Sequence, residues 1–230
     1  MKRFMMIVIT SLFVVMATGI ALAATEPQGA ENTDLVDEGT YDFGTNGTAD
    51  VTDGHVYYSD LNTNMSSIKW AGLYGNVSGN IVLSDDDQDV LFNWAANGRL
   101  VYATTAAHPD WSSVSDADES AVLSDFSHLD TPDADNYSAT FTGEIEDIDS
   151  ALYDTVESDY AITYDSSETG IWKTYSLQDA ANNIVFAGRV HEGGNESYKG
   201  TTVDYQMILP EDGTGGDDTA TTYTLFAELQ

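Results

Sequence analysis

The stretch from Trp70 to Thr104 constrains the fold more than any other part of the chain, because it holds the densest run of strand signals. Side chains alternate between two faces through Val77 to Leu83, and the apolar run Val90 to Trp94 follows an acidic turn. Asn97-Gly98 favours a tight hairpin turn before a return strand from Arg99 to Thr104. These signals predict a three-stranded antiparallel meander. Because an isolated hairpin is not stable in water, we expect the meander to pack its apolar face on other strands.

Elsewhere the chain carries short strand signals separated by turn residues, which is typical of an all-β fold. Strands are predicted at 55–61, 137–142, 159–164, 171–177, 184–191, 201–209 and 221–229. One helix is predicted from Val114 to Phe126, where apolar residues recur at helical spacing and acidic residues occupy the first turn. Residues 39–230 are therefore predicted to form a single antiparallel β-sandwich of about nine or ten strands with one short helix.

Residues 1–23 have the form of a secretory signal peptide. Lys2 and Arg3 precede the apolar run Phe4 to Ile20, and Ala21-Leu22-Ala23 is a small-x-small cleavage site. A retained anchor is the alternative, although the run is short for a spanning helix. Residues 24–38 predict a flexible acidic leader, or alternatively a tether or a strand donated to a neighbour. We expect a secreted or cell-surface protein with no stable membrane insertion after cleavage.

The charge balance is extreme, with 39 acidic residues against 7 basic ones and a net charge of −32. Removal of Lys2 and Arg3 with the signal makes the mature chain more negative still. Such a surface repels nucleic acid and anionic lipid, and it destabilises the compact state unless salt screens it. We interpret this as adaptation to a hypersaline environment. An acidic protein that binds many divalent cations is the alternative, and the high aromatic content argues against disorder.

The chain has no cysteine, which excludes disulfides, thiolate metal sites and a cysteine nucleophile. The four histidines are scattered, and no G-x-S-x-G, H-E-x-x-H or phosphate-loop motif is present. Paired carboxylates hydrolyse glycosides in many enzymes, but in so acidic a chain a pair carries little information. We therefore predict a non-enzymatic protein, with a glycoside-type hydrolase as the least favoured alternative.

Asp85, Asp87 and Asp89 have the alternate spacing that begins a calcium-binding loop. The required glycine and the closing glutamate are missing, so a solvated acidic turn is favoured over a calcium site. Loosely bound calcium is the only cofactor that the sequence suggests.

Asparagine in an Asn-x-Ser/Thr triplet can accept a glycan on an exposed loop of a secreted protein. Asn46 and Asn195 lie in predicted turns and are the best candidates, followed by Asn136 and Asn64, whereas Asn76 lies in a strand-rich stretch.

Four tryptophans and many tyrosines form either a hydrophobic core or a platform for stacking sugars. Trp94 and Trp172 lie in predicted strands and are assigned to the core. Trp111 lies in a loop beside Pro109 and is the ligand-binding candidate.

The segments WAGLYGNVSGNIVL, LFNW and VDYQMILPEDGTGGD resemble secreted archaeal cell-surface proteins of unknown function. The resemblance implies an extracellular setting among glycosylated proteins and, given the charge, a saline habitat. It assigns no catalytic residue. The leading hypothesis is a structural component of an envelope or filament, with self-association or envelope components as partners. A carbohydrate- or ligand-binding module is the alternative.

Overall fold

The structure is a computed structural model. It describes residues 26–30, 35, 52–53, 67–87, 89–148, 150, 156–211 and 220–230. The predicted signal peptide, most of the predicted leader and the predicted strand at 55–61 lie outside the described residues.

The described chain is an all-β fold in which every strand pair is antiparallel, and this confirms the predicted fold class. Several of the strands are only two or three residues long. The strands are β1 Gln28–Gly29, β2 Trp70–Gly75, β3 Gly79–Ser84, β4 Val90–Ala96, β5 Gly98–Thr104, β6 Val114–Asp116, β7 Glu146–Ile148, β8 Val156–Ser158, β9 Tyr160–Tyr164, β10 Gly170–Asp179, β11 Ile184–Arg189, β12 Asn195–Glu196, β13 Thr202–Val203, β14 Tyr205–Pro210 and β15 Thr224–Leu229.

The largest sheet has seven strands in the order β1-β15-β5-β11-β10-β6, with β9 also paired to β10. Its centre is built from β5, β10 and β11, which are buried along most of their length. Strands buried in this way need cover on both faces of the sheet. The structure supplies that cover, because a separate hydrophobic cluster lies against each face.

One face of the large sheet is covered by the β14–β2 pair and by two short helices. The α-helices are α1 Glu119–Asp125 and α2 Tyr137–Thr140, and a 3-10 turn spans Ser127–Leu129. Phe186 and Ala103 of the sheet belong to the same buried cluster as Met207 of β14 and Val122 of α1. The backbone N–H of Ile208 donates to Thr174 Oγ1 at 3.0 Å, which ties the two layers together.

The opposite face is covered by the β7–β8 hairpin and by the loop that carries Trp111. Tyr102, Tyr175 and Leu177 of the large sheet share a buried cluster with Ile148 and Val156 of that hairpin. None of the described helices is long and apolar enough to cross a membrane.

The predicted three-stranded meander is wrong, because β4 and β5 do not pair with each other. β4 pairs with β3, whereas β5 pairs with β11 and β15. Asn97-Gly98 does not form the expected hairpin turn but joins β4 directly to β5. Asn97 exchanges two backbone hydrogen bonds of 3.0 Å with Gln230. Pairing with distant strands has overridden a local turn signal.

The predicted single helix is also corrected. Val114–Asp116 forms β6 rather than the first helical turn, and α1 begins later, capped by the Asp118 side chain, which accepts from the Ala121 N–H. The segment predicted as a strand at 137–142 contains α2, whose N-cap is Asn136. A side-chain oxygen that accepts from the first-turn N–H groups favours a helix at both places.

Candidate functional site

The most unusual surface is a hairpin formed by β3 and β4. The two strands pair only with each other among the described strands. Their register joins Ile81 to Trp94 and Leu83 to Phe92. Because side chains alternate across a strand, these four side chains lie on one face of the hairpin.

The hairpin is apolar and exposed, against our expectation that its apolar face would be packed on other strands. Seven of the thirteen exposed large hydrophobic residues of the described chain lie on it. They are Ile81, Val82, Leu83, Val90, Leu91, Phe92 and Trp94, with exposed fractions from 36% for Ile81 to 78% for Leu91. Contiguous exposed apolar surface of this extent marks an interaction site or an aggregation hazard.

Phe92 and Trp94 form the centre of the apolar face. Their ring centroids are 4.7 Å apart, and both side chains are about half exposed. The prediction that Trp94 belongs to the core is therefore wrong, whereas Trp172 is fully buried and donates its ring N–H to the carbonyl of Glu196 at 3.0 Å. Neither β3 nor β4 contains a charged residue.

The base of the hairpin is held by β15 of the large sheet and by Asp204, which precedes β14. The N–H of Val77 donates to Asp204 Oδ2 at 2.8 Å, just before β3 begins. A Cβ at Gly79 would lie 2.6 Å from Leu229 Cδ1, so a glycine lets the start of β3 approach the end of β15. The base of the hairpin is therefore held in place, while the apolar side chains of its two strands stay exposed.

The tip of the hairpin is the acidic turn Asp85 to Asp89. Asp85 Oδ1 accepts from the N–H groups of Asp87 at 3.1 Å and Asp89 at 2.8 Å, which is an Asx-turn arrangement. Asp85 thus closes the turn with an oxygen that a calcium ion would need. The structure does not gather Asp85, Asp87 and Asp89 into a ligand set, since no group of three metal-ligating side chains is found among the described residues.

Trp111, the predicted ligand-binding residue, packs on the large sheet. Its ring centroid lies 5.2 Å from that of Tyr102 and 5.4 Å from that of Phe226, and the side chain is half-buried. Trp111 therefore helps to cover a core cluster and offers little free ring surface. The sequence around Trp111, a loop beside Pro109, is compatible both with ligand binding and with covering the core, so it did not distinguish these two roles.

The predicted glycan acceptors fall in different settings. Asn46 and Asn64 lie outside the described residues. Asn195 is half-buried in β12, and Asn136 is the N-cap of α2, where its side-chain N–H also donates to the carbonyl of Thr131 at 2.8 Å. Asn76 lies within the strand-rich stretch, in the exposed connection between β2 and β3. Glycosylation of these residues stays a prediction.

The five basic residues beyond the predicted signal peptide hold the fold together. Lys173 and Arg189 pair with Glu146 at 2.5 and 3.4 Å, and Arg99 approaches Glu228 at 4.0 Å. Lys69 pairs with two aspartates, and Lys199 lies over the ring of Tyr198. The described basic side chains therefore form no cluster that would attract a nucleic acid or an anionic lipid.

Ionisable groups converge around Glu146, which is partly accessible. Burial acts to raise the pKa of Glu146, but hydrogen bonds from Lys173 and Tyr175 and the charge of Arg189 outweigh it and hold the pKa below its usual value. A carboxylate held in this way is a fixed anion in an ion-pair network and is poorly suited to proton transfer at neutral pH.

Polar groups also converge on Glu228, whose side chain is fully buried. Its Oε2 accepts hydrogen bonds from the Tyr102 hydroxyl at 2.8 Å and from Ser150 Oγ at 2.9 Å.

An open surface depression is lined by Thr105, Ser124, Asp125, Phe126, His128 and Thr221, and Asp125 supplies its single carboxylate. A glycoside hydrolase needs two carboxylates facing one cleft.

Lys69 fastens the loop after the 3-10 turn to the start of β2. Its Nζ donates to Thr131 Oγ1 at 2.7 Å and to Asp133 Oδ2 at 2.8 Å, and it lies 3.2 Å from Asp135 Oδ1. The ring N–H of Trp70 donates to the carbonyl of Asp135 at 2.7 Å. Hydrogen bonds donated by Lys69 and Ser67 lower the pKa values of Asp133 and Asp135, respectively. The hydrogen bond that Lys69 donates to Asp133 raises the pKa of Lys69.

Lys69→Met is expected to destabilise the protein at neutral pH and less so in acid. The lowered pKa values of the aspartates mean that their contribution is complete above about pH 4, the ordinary value for an aspartate, and is lost as pH falls through the folded-state values. The raised pKa of Lys69 keeps the contribution in place up to about pH 10. Urea unfolding of the wild type and of Lys69→Met at pH 7 and pH 3 would measure the difference in their free energies of unfolding. A difference of equal size at both pH values would contradict this assignment.

Comparison with known proteins identified no matching family model, no matching curated protein and no matching solved structure. The resemblance to secreted archaeal cell-surface proteins stays a prediction.

Proposed function

We propose that this chain is a non-enzymatic structural subunit of an extracellular or cell-surface layer, and that it associates with its neighbours through the β3–β4 hairpin. The observation that carries the proposal is the exposed apolar surface of the hairpin, whose base is held firmly by the rest of the fold. Soluble monomers seldom present contiguous apolar surface of this kind unless a partner covers it. The outer edges of β3 and β4, which pair with no other strand of the described ranges, add a second means of association.

Charge and chemistry support the same proposal. The basic side chains are held in internal contacts, and Glu146 and Glu228 serve as anchors within ion-pair and hydrogen-bond networks. The signal-like N-terminus and the acidic composition fit an exported protein that works in brine. In that setting repulsion between subunits is screened, and apolar contact decides association.

The carbohydrate-binding alternative retains one supporting observation, which is the exposed pair Phe92 and Trp94. Sugar recognition also needs polar groups beside the aromatic platform to bind hydroxyls. The face that carries this pair is formed by Gly79, Ile81, Leu83, Phe92, Trp94 and Ala96, and it holds no side chain rich in hydrogen-bonding groups. Apolar association with protein is therefore favoured over sugar binding.

The proposal is tested by the state of association of the mature chain in molar salt. Light scattering after size separation, together with electron microscopy of the same samples, should show assemblies whose masses are multiples of the monomer. A label on this chain in its native setting should then mark the cell surface. A mature chain that stays monomeric at every accessible concentration, and that is absent from the surface, would refute the proposal.

A further inference from the structure

We infer that the apolar face of the β3–β4 hairpin docks on the same face of a second copy of this chain, with the two acidic tips pointing in opposite directions. This inference rests on the proposed function and names the partner. The face is defined by Ile81, Leu83, Phe92 and Trp94, which the strand register places together. A two-fold interface of this type buries the same patch on both subunits.

The size of the face suits a weak, reversible interface. From the exposed fractions of its four large apolar residues, the face offers roughly 400 Å² per copy, about half of the roughly 800 Å² that each partner gives to an interface of standard size. Phe92 and Trp94 lie at its centre, and large aromatic residues at the centre of a patch commonly supply most of the binding energy.

The tip decides the relative orientation of the two hairpins. Asp85, Asp86, Asp87 and Asp89 are all exposed at one end of the patch. Parallel docking would bring two such turns together, and like charges in contact oppose association. In antiparallel docking the tips are separated by about the length of a strand, which for a seven-residue β4 is about 24 Å.

The same tip argues against a lipid or a basic protein as the partner. Insertion of the hairpin into a bilayer would carry four aspartates into the headgroup region, where anionic lipid repels them. A basic protein would bind the tip rather than the uncharged strands, and its binding would weaken as salt screens the charges. A second copy of the apolar face binds more tightly as salt rises, because salting-out ions strengthen apolar burial.

Leu83 and Val82 provide a matched pair for the test. They are adjacent in β3, their exposed fractions are 50% and 46%, and they lie on opposite faces of the hairpin. Leu83→Ser should raise the dissociation constant of the mature chain in molar salt about tenfold or more, as loss of a central apolar contact does. Val82→Ser should change it much less. Both residues are exposed, so unchanged circular dichroism is expected to show that both variants fold.

Sedimentation at several protein concentrations would give the dissociation constants. If the wild type associates and Leu83→Ser associates equally well, or if Val82→Ser weakens association as much, the docking face is wrong while the proposed function stands. If the wild type does not associate at all, both the inference and the proposed function fail. Co-flotation with vesicles of phosphatidylcholine and phosphatidylglycerol should show no binding, and strong binding would overturn the choice of partner.

The absence of cysteine from the chain allows a direct test of orientation. A spin label on the Asp86→Cys variant should report a distance of more than about 20 Å between the two copies, since the tips are separated by about one strand length. A short distance, or a disulfide formed between the two introduced thiols, would contradict antiparallel docking.

Discussion

Transfer of the mature protein from molar to millimolar salt is expected to remove most of its strand signal in circular dichroism. The chain carries 39 acidic residues, and its few basic residues beyond the predicted signal peptide are already in internal contacts. The Debye length rises from about 3 Å at 1 M salt to about 30 Å at 0.01 M, so repulsion across the whole surface becomes effective. Self-repulsion of this kind destabilises the compact state.

The nature of the added solute separates screening from specific binding of cations. Sodium and potassium chloride should restore the structure equally at equal ionic strength, whereas sucrose should restore little. Restoration by a few millimolar calcium chloride in a low-salt buffer would support the alternative of an acidic protein that binds divalent cations. An unchanged spectrum from molar to millimolar salt would refute the interpretation of the charge.

Glu228→Ala is expected to lower the free energy of unfolding by about 3–5 kcal/mol, because it removes a buried carboxylate that accepts two hydrogen bonds and lies 4.0 Å from Arg99. The Glu228 side chain is fully buried and accepts hydrogen bonds from Tyr102 and Ser150. Its loss leaves a buried hydroxyl without its acceptor and Arg99 without its carboxylate. It also removes the tie between the large sheet and Ser150.

Glu157→Ala is the matched control, because Glu157 is an exposed glutamate in β8. Its removal takes away the same charge and should leave stability unchanged or raise it slightly, since the surface is already too negative. Urea unfolding in molar salt would compare the two variants. Equal effects would show that the protein responds to total charge and that the buried network contributes little.

Four strands of the large sheet were predictable because their own residues determine them. β9, β10, β11 and β15 are apolar or alternating runs bounded by turn residues, and each lies within a predicted strand or overlaps it closely. The helix α2 was missed because Tyr137 within it and Phe141 just after it are typical of a strand. Asn136 was the available signal, since an asparagine before a short run is a favourable N-cap.

The pairing of β4 and β5 could not be predicted from local signals. Asn97-Gly98 is a favourable turn sequence, but β5 finds its partners in β11 and β15, which are far away in the sequence. Because β5 belongs to the large sheet, β4 lies outside that sheet and pairs with β3. An exposed apolar strand has the same sequence pattern as a buried one, so the pattern assigns Trp94 to the core. A loop position likewise assigns Trp111 to the surface, although its ring packs on the large sheet.

The central claim is that the β3–β4 hairpin is covered by another copy of the chain when the protein assembles. Hydrogen exchange of the mature chain in molar salt, measured at low and at high protein concentration, tests it most directly. We expect the amides of β3 and β4 to exchange more slowly at high concentration, while those of β10 and β11 are protected at both. Equal exchange of the hairpin at both concentrations, in samples whose mass shows assembly, would contradict the claim.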